Sequence, residues 1–212
     1  LPTWIRLNMR TDSDFSKVHN LVGDLGLHTV CKSAKCPNIH ECWGRNTATF
    51  MILGNLCTRA CRFCSVPAGR PLPVDADEPR RVAEAVATMG LKHAVITSVN
   101  RDDRKDGGAE LFAMTIRAIH ERVPDCHVEV LVPDFQGNYD AMQTVMDAGP
   151  EVLNHNTETV PRLYRTVRMG ADYPRSLEML AYAKSLRPQT PTKSGLMLGL
   201  GETLDEVLRV MQ

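Results

Sequence analysis

TATFMILGNLCTRACRFC, residues 47–64, decides the fold: an apolar, β-rich run from Thr47 to Gly54 leads straight into a loop that sets Cys57, Cys61 and Cys64 in a CxxxCxxC pattern. Soft thiolates select iron-sulfur clusters, zinc or copper(I), and three so close together are costly to keep ionised without a metal. A metal site is the first expectation. A free coordination position is the second, because no fourth cysteine lies in the same loop. Zinc usually completes a tetrahedron with paired Cys or His ligands, whereas a four-iron cluster held by three cysteines leaves one iron open to a small molecule.

Upstream lies CKSAKCPNIHECW, residues 31–43, where Cys31, Cys36 and Cys42 form CxxxxCxxxxxC. This is wider than a ferredoxin or zinc-finger spacing. Pro37 and Asn38 favour irregular backbone there, which can turn several thiolates inward, so a second metal site is expected. His40 is a ligand by type, but a surface or supporting histidine suits it at least as well. Seven cysteines is an odd number for a disulfide scaffold, and six of them fall between residues 31 and 64. Metal ligation in a reducing compartment therefore outweighs disulfides. The expected location is the cytoplasm, with an organelle such as a mitochondrion or plastid as the alternative. Cys126 stands apart and reads as an inert core or near-surface thiol.

The 212 residues can bury one substantial core, and the 25 basic and 25 acidic side chains cancel. That balance gives no electrostatic case for bulk binding to nucleic acid or an anionic membrane. No apolar stretch reaches transmembrane length, and LPTWIRLNMR lacks the apolar centre of a secretory signal.

Residues 14–25 carry helical spacing and stop at Gly26. From Thr47 strands alternate with helices: strands at 47–54, 93–99, 127–132, 152–156 and 192–200, with helices at 79–89, 109–123, 139–148, 160–167, 175–185 and from 204. Nearly continuous apolar strands suit a parallel sheet covered by helices. Five strands do not close an eight-stranded barrel, so the predicted fold is α/β, an open or partial TIM-type barrel. Residues 1–46 form an N-terminal extension with the second cysteine group, and 47–212 the barrel.

Reactive groups in such folds gather at the C-terminal ends of the strands. Here those ends deliver the cysteine loop, then SVNRDDRKDGG (98–108), Pro133 with Asp134 and Phe135, NHNTET (154–159) and TKSGLMLGLGET (192–203). Gly107 and Gly108 make a turn or admit a ligand. Gly199 and Gly201 do not form a dinucleotide loop. His155 suits a supporting or core role. Glu158 is either an acceptor for ligand hydroxyls or a charge at a helix start. Met197 suits the core, its backbone edging a ring, and Lys193 and Arg175 either anchor a carboxylate or sit at the surface.

The CTRACRFC loop, with Phe63 before its last cysteine, resembles the radical S-adenosylmethionine superfamily. Within it, TVCKSAKCPNIHECW, TSVNRDDRKDGGAELF, EVLVPDF, LNHNTETVPRLY and TKSGLMLGLGET together resemble the lipoyl synthase family over nearly the whole chain. The resemblance implies a partial (β/α)6 barrel with two four-iron, four-sulfur clusters. One is held by Cys57, Cys61 and Cys64 and binds S-adenosylmethionine at its open iron; the other, an auxiliary cluster on Cys31, Cys36 and Cys42, donates sulfur. It implies that the 5'-deoxyadenosyl radical serves to insert two sulfur atoms at C6 and C8 of a protein-bound octanoyl group. The central step needs no acid-base dyad.

Carried over to this chain, the resemblance assigns Gly195, Met197, Gly199 and Glu202 to the segment near the adenine and Gly107 and Gly108 to the methionine amino group. Asn154, Asn156 and Glu158 become polar contacts, Glu158 to the ribose, and Arg175 and Lys193 carboxylate partners. The implied partners are an octanoylated lipoyl carrier domain or H-protein and a reducing electron donor, with no nucleic acid or membrane. One departure stands out: the family's C-terminal RSSY serine ligand has no counterpart, and Ser194 is no replacement. A fragment of a longer protein, ending before a sixth strand, is therefore expected. The competing readings are another radical S-adenosylmethionine sulfurtransferase and a zinc-binding structural module.

Overall fold

The computed structural model describes residues 13–45 and 47–212. The first twelve residues of the expected extension, and Asn46, lie outside them. Helix α1 (Ser13–Asp24) precedes two short helices, α2 (Val30–Ser33) and α3 (Ile39–Trp43). Then β1 (Thr49–Ile52), α4 (Glu78–Met89), β2 (His93–Ser98), α5 (Ala109–Arg122) and β3 (His127–Leu131) alternate. They continue through α6 (Tyr139–Asp147), β4 (Val152–Asn154), α7 (Tyr164–Val167), α8 (Tyr173–Leu186), β5 (Thr192–Lys193) and α9 (Leu204–Val210).

The five strands lie side by side in chain order, every neighbouring pair parallel. Such a sheet, with a helical crossover at each step, is the wall of an open β/α barrel. Its two faces differ because strand side chains alternate. Phe50, Ile52, Ala94, Ile96, Val128, Val130 and Leu153 are wholly buried on one face. They join a single apolar core with residues of α4, α5 and α6. Each such side chain contributes roughly 1.5–3 kcal/mol by leaving water. The other face carries Met51, Thr97, Leu131, Asn154 and Lys193 in one row, more polar and partly open.

Helix boundaries follow local chemistry. In α4, Pro79 occupies the first turn, Val82 and Val86 face the core, and Gly90 ends the helix at φ 63°. In α5, Leu111, Phe112, Thr115, Ile116 and Ile119 form the buried stripe.

Three expectations need correction. The fifth strand, expected over 192–200, is only two residues long. It lies exposed at the sheet edge, and the chain beyond it bends through Gly199 and Gly201 at φ 94° and 110°, keeping one bridge, Leu196 to Glu158. Around Pro37 and Asn38 the backbone is not irregular throughout but turns between α2 and α3, with Thr29 capping α2 by accepting the Lys32 N–H. Strand β1 is also shorter than expected, since Leu53 and Gly54 turn into the left-handed region (φ 70° and 92°). The buried Glu78 carboxylate accepts the Leu53 N–H at 2.8 Å and holds this turn in place.

Candidate active site

The turn after β1 delivers the cysteine loop to the C-terminal mouth of the sheet. Its fixings are mostly backbone. Cys57 donates to Pro67 O and accepts from Gly69, Thr58 donates from N and Oγ1 to Asn100 O, and Arg62 donates to Val167 O. Cys57 Sγ accepts the N–H groups of Arg59 (3.4 Å) and Asn100 (3.3 Å). Two amide donors aimed at one sulfur suit a thiolate that bears charge. Burial pushes the Cys61 thiol up, Arg168 draws it down, and Cys57 and Cys64 raise it again. Three thiolates this close together are a costly group unless a metal neutralises them.

Between the first two cysteines, Arg59 turns inward. Its Nε and Nη2 reach the Asp102 carboxylate at 2.6 and 2.9 Å, and Nη2 reaches Asp134 Oδ1 at 2.6 Å. Asp134 Oδ1 also accepts the Gln136 N–H, and Oδ2 accepts Arg175 at 2.8–2.9 Å. The Asp134 side chain is wholly buried and that of Arg59 5% exposed. Burial opposes ionisation of Asp134, but the bonds and charge of Arg59 outweigh it and hold the carboxyl at about 2. Burial likewise opposes the Arg59 charge, and Asp102 and Asp134 together push its pKa upward. Leaving one member of such a set unpaired costs about 3–5 kcal/mol.

All three cysteines line one cavity of about 300 Å³, closed on one side by the sheet and on another by Val30 of α2 and Ala34 just beyond it. Its lining is mainly apolar, with Met51, Phe63, Val66 and Leu131 among the walls. Asn156, Glu158 and Arg168 form a polar edge. Burial raises the Glu158 carboxyl, which Asn156 and Arg168 partly offset, and Asn156 donates to it at 3.0 Å. Glu158 has φ 64°, a left-handed conformation that costs energy in a residue with a side chain. Ser98 Oγ and Asn100 Oδ1, both on the cavity wall, are buried without a partner among the described residues. Arg168 is 9% exposed, donates to Tyr164 Oη and Ser176 Oγ, and has no carboxylate in ion-pair contact among the described residues. A buried guanidinium at a cavity edge with no carboxylate paired to it suits an anionic ligand group.

The second cysteine group spans α2, which carries Cys31, the following turn, which carries Cys36, and α3, which carries Cys42. Cys31 is buried, Cys36 and Cys42 half-buried, and Cys36 donates its N–H to Cys31 O. Burial pushes the Cys42 thiol up, followed by the charges of Cys31 and Cys36, so these three also share one neighbourhood. Among the described residues no three Cys, His, Asp or Glu side chains close on one metal-ion position. A single tetrahedral zinc would demand that convergence, whereas the ligands of a four-iron cluster each bind a different iron.

The radical SAM superfamily model matches residues 51–212. Lipoyl synthase of Koribacter versatilis is 59% identical over 99% of this chain and 69% of its own length. The chain belongs to the lipoyl synthase family. Lipoyl synthases of Rubrobacter xylanophilus and Bacillus subtilis are 57% and 56% identical, the matches taking in 66% and 71% of those proteins. The chain thus spans about two thirds of the length of these relatives. Methylornithine synthase (PylB) superposes with TM-score 0.60 at 13% identity, over 99% of this chain and 62% of its own. HydG, an FeFe-hydrogenase maturase, gives TM-score 0.59 at 16%, over 76% and 37%. These two likenesses concern the fold.

The structure brings only some of the other predicted contacts to this cavity. Arg175 does not face the cavity but is bound to Asp134 and to Gly170 O. Lys193 donates to Glu129 Oε1 at 2.8 Å, and Asn154 donates to the same oxygen at 3.4 Å, so neither reaches the cavity lining. Gly107 and Gly108 lie outside that lining too. A Cβ on Gly108 would lie 2.2 Å from Leu53 Cδ1, and one on Gly107 2.8 Å from Phe135 Cδ1, so close packing accounts for both glycines. Asn156 and Glu158 do edge the cavity. Gly195 leaves space for Asn156, since a Cβ there would meet Oδ1 at 2.7 Å. Met197 donates its N–H to Glu158 O, which ties the 195–202 segment to the cavity edge. Glu202 instead accepts the Gly199 and Leu200 N–H groups and closes its own turn. His155 is buried between Val132 O and Ser176 Oγ, and Cys126 is buried with its thiol pushed up by that burial. Ser98, Asn100 and Asp134 lie in strand-end segments picked out from the sequence but had no role of their own there, and Arg59 and Arg168 were missed; of these two only Arg59, enclosed by the cysteine spacing, carried a signal that could have found it.

Proposed function

We propose that this chain is the greater part of a lipoyl synthase, inserting two sulfur atoms at C6 and C8 of an octanoyl group attached to a lipoyl carrier domain. The observation that carries this reading is the shared cavity: Cys57, Cys61 and Cys64 open into it, and its far wall is α2, the helix that bears Cys31. In this reading Cys57, Cys61 and Cys64 hold one four-iron, four-sulfur cluster, and Cys31, Cys36 and Cys42 hold the auxiliary one. When bound, the clusters and S-adenosylmethionine supply a hydrogen-abstracting radical and the inserted sulfur.

The chain's own residues then orient and exclude. Arg168 offers its guanidinium to the cosubstrate carboxylate in place of Arg175 and Lys193, and Glu158 with Asn156 accepts and donates at the ribose. Ser98 and Asn100 offer their unpartnered oxygens to donors on the ligand. Met51, Phe63, Val66 and Leu131 give the octanoyl tail an apolar slot that keeps water from the reacting carbons. The carrier, whether an H-protein or another lipoyl domain, the electron donor and a reducing cytoplasmic location complete the proposal.

The test uses the full-length chain, prepared anaerobically, with an octanoylated carrier peptide, S-adenosylmethionine and a reductant. The expected products are 5'-deoxyadenosine and a peptide heavier by two sulfurs, in its reduced dithiol form, read by mass spectrometry. Unmodified peptide beside abundant 5'-deoxyadenosine would reject this substrate, and Arg168→Met should raise KM for the cosubstrate. Fractionation of the native cells checks the location.

A further inference from the structure

Asp134 lies outside the cavity lining, yet three elements meet on its carboxylate: the cysteine loop through Arg59, the turn after β3 through the Gln136 N–H, and α8 through Arg175. The turn itself has little freedom to follow a moving partner. Phe135 and Gln136 both hold positive φ (45° and 53°), Gly137 follows at 81°, and the Phe135 ring lies against Gly107. Consecutive left-handed residues persist only where the surroundings fix them. Arg59 belongs to the segment joining Cys57 and Cys61, and its own N–H donates to Cys57 Sγ. A displaced Arg59 therefore displaces a cysteine.

We propose that Asp134 is a positioning residue that fixes the Cys57–Cys61 segment through Arg59, so that this cysteine triad grips its cluster and the triad of Cys31, Cys36 and Cys42 does not depend on it. The inference rests on the reading of both triads as cluster sites. Asp102 alone does not substitute for it. Its contacts with Arg59 join the cysteine loop to the neighbouring loop after β2, whereas Asp134 joins it to the rigid end of β3 and to α8. No proton or electron passes through Asp134 in this role; it acts on where the sulfurs stand.

The experiment separates the two triads. Full-length protein is loaded anaerobically in two backgrounds, one with Cys31, Cys36 and Cys42 changed to Ala and one with Cys57, Cys61 and Cys64 changed to Ala. Iron release to a chelator and the electron paramagnetic resonance of the reduced cluster are read with and without Asp134→Asn, beside circular dichroism. In the first background Asp134→Asn should speed iron release on the order of tenfold to a hundredfold, the usual effect of losing a supporting partner. It should also alter the resonance that S-adenosylmethionine perturbs. In the second background release should stay unchanged.

Equal acceleration in both backgrounds would mean general loosening and would overturn the proposal, as would unchanged release and resonance in the first. Arg175→Gln, which keeps the Arg59 contact, should leave release near the parent value; an effect as large as that of Asp134→Asn would assign the role to α8 instead. Should Asp134→Asn fail to fold, Arg59→Lys keeps the charge, cannot bridge Asp134 and Asp102 as the guanidinium does, and is held to the same outcomes. If either parent background binds no iron, the cluster reading fails, and the proposal falls with it.

Discussion

The two cysteine triads are held in different ways. Cys57, Cys61 and Cys64 sit on a loop fixed by backbone bonds to the mouth of the sheet and by the buried Arg59–Asp134 pair with its half-buried partners Asp102 and Arg175. Cys31 and Cys42 ride on helices of four and five residues and Cys36 on the turn between them, supported by ring contacts in which Phe15 stacks on His40 at 4.8 Å and meets Trp43 at 5.4 Å. One triad is part of the sheet's framework. The other is carried beside it, on elements too short to be stable alone. The difference fits the division of labour proposed for them: a site that must return to the same geometry at every turnover is clamped, and one that gives up its sulfur is not.

Exchanging cysteines breaks the comparison most completely. Cys61→Ala should abolish 5'-deoxyadenosine formation altogether. Cys36→Ala should retain abortive formation of that product while yielding no lipoyl group, both read by chromatography and mass spectrometry. Normal lipoyl yield from Cys36→Ala would remove this triad from sulfur donation.

The next effect concerns support rather than ligation. Trp43 is wholly buried, and Trp43→Ala should cost about 3–5 kcal/mol, the usual range for an aromatic lost from a core. Hydrogen exchange should show amides of α1 to α3 opening while β1 to β4 stay protected. Uniform opening of both regions would mean that the second triad is as much part of the framework as the first.

Gly108→Ala tests the clamped side in the same way. A methyl group there would overlap Leu53 at the turn into the cysteine loop, at φ 91°. Overpacking and backbone strain together should cost about 3 kcal/mol. Denaturant unfolding measures the loss, and the iron of the first triad should be released faster than that of the second.

The β/α alternation was readable because each strand is a short apolar run and each crossover helix keeps a core-facing stripe. Residues 192–200 misled: Leu196, Met197 and Leu198 look like a strand, but at an exposed edge the glycines around them decide the backbone. The six cysteines were readable because ligand spacing survives in the primary sequence. Arg175 and Lys193 were not, since a cation free in sequence can be claimed in space by a carboxylate far along the chain, here Asp134 and Glu129. Arg168 had no spacing to mark it; only its burial near Cys61 with no carboxylate in ion-pair contact among the described residues sets it apart. The glycines at 107 and 108 were recognised as special, but whether a glycine makes room for a ligand or for a neighbouring side chain depends on contacts such as that with Leu53.

The smallest expected effect is one of pH, and it should fall on the clamped side. His155 is buried behind the polar edge of the cavity, against Val132 O and Ser176 Oγ, with the Arg168 guanidinium close to Nε2. Burial, with the Arg168 and Arg59 charges adding to it against the pull of Val132 O and Asp134, lowers its pKa from 6.5 to about 4. The unfolded chain therefore takes up a proton that the folded chain refuses between these values. The contribution is complete above pH 6.5 and is lost as the pH falls toward 4, at most roughly 3 kcal/mol in all. Asp134, held at about 2 against 3.8 when unfolded, keeps its full contribution above pH 3.8 and loses it as the pH falls from there through about 2, so the two windows do not overlap. His155→Gln, whose amide both donates and accepts, should flatten the stability profile between pH 6.5 and 4 and leave the more acidic limb in place. A profile unchanged by that substitution would mean that acid loosens the molecule elsewhere, with His28 next to α2, also lowered by burial, the first group to substitute in turn.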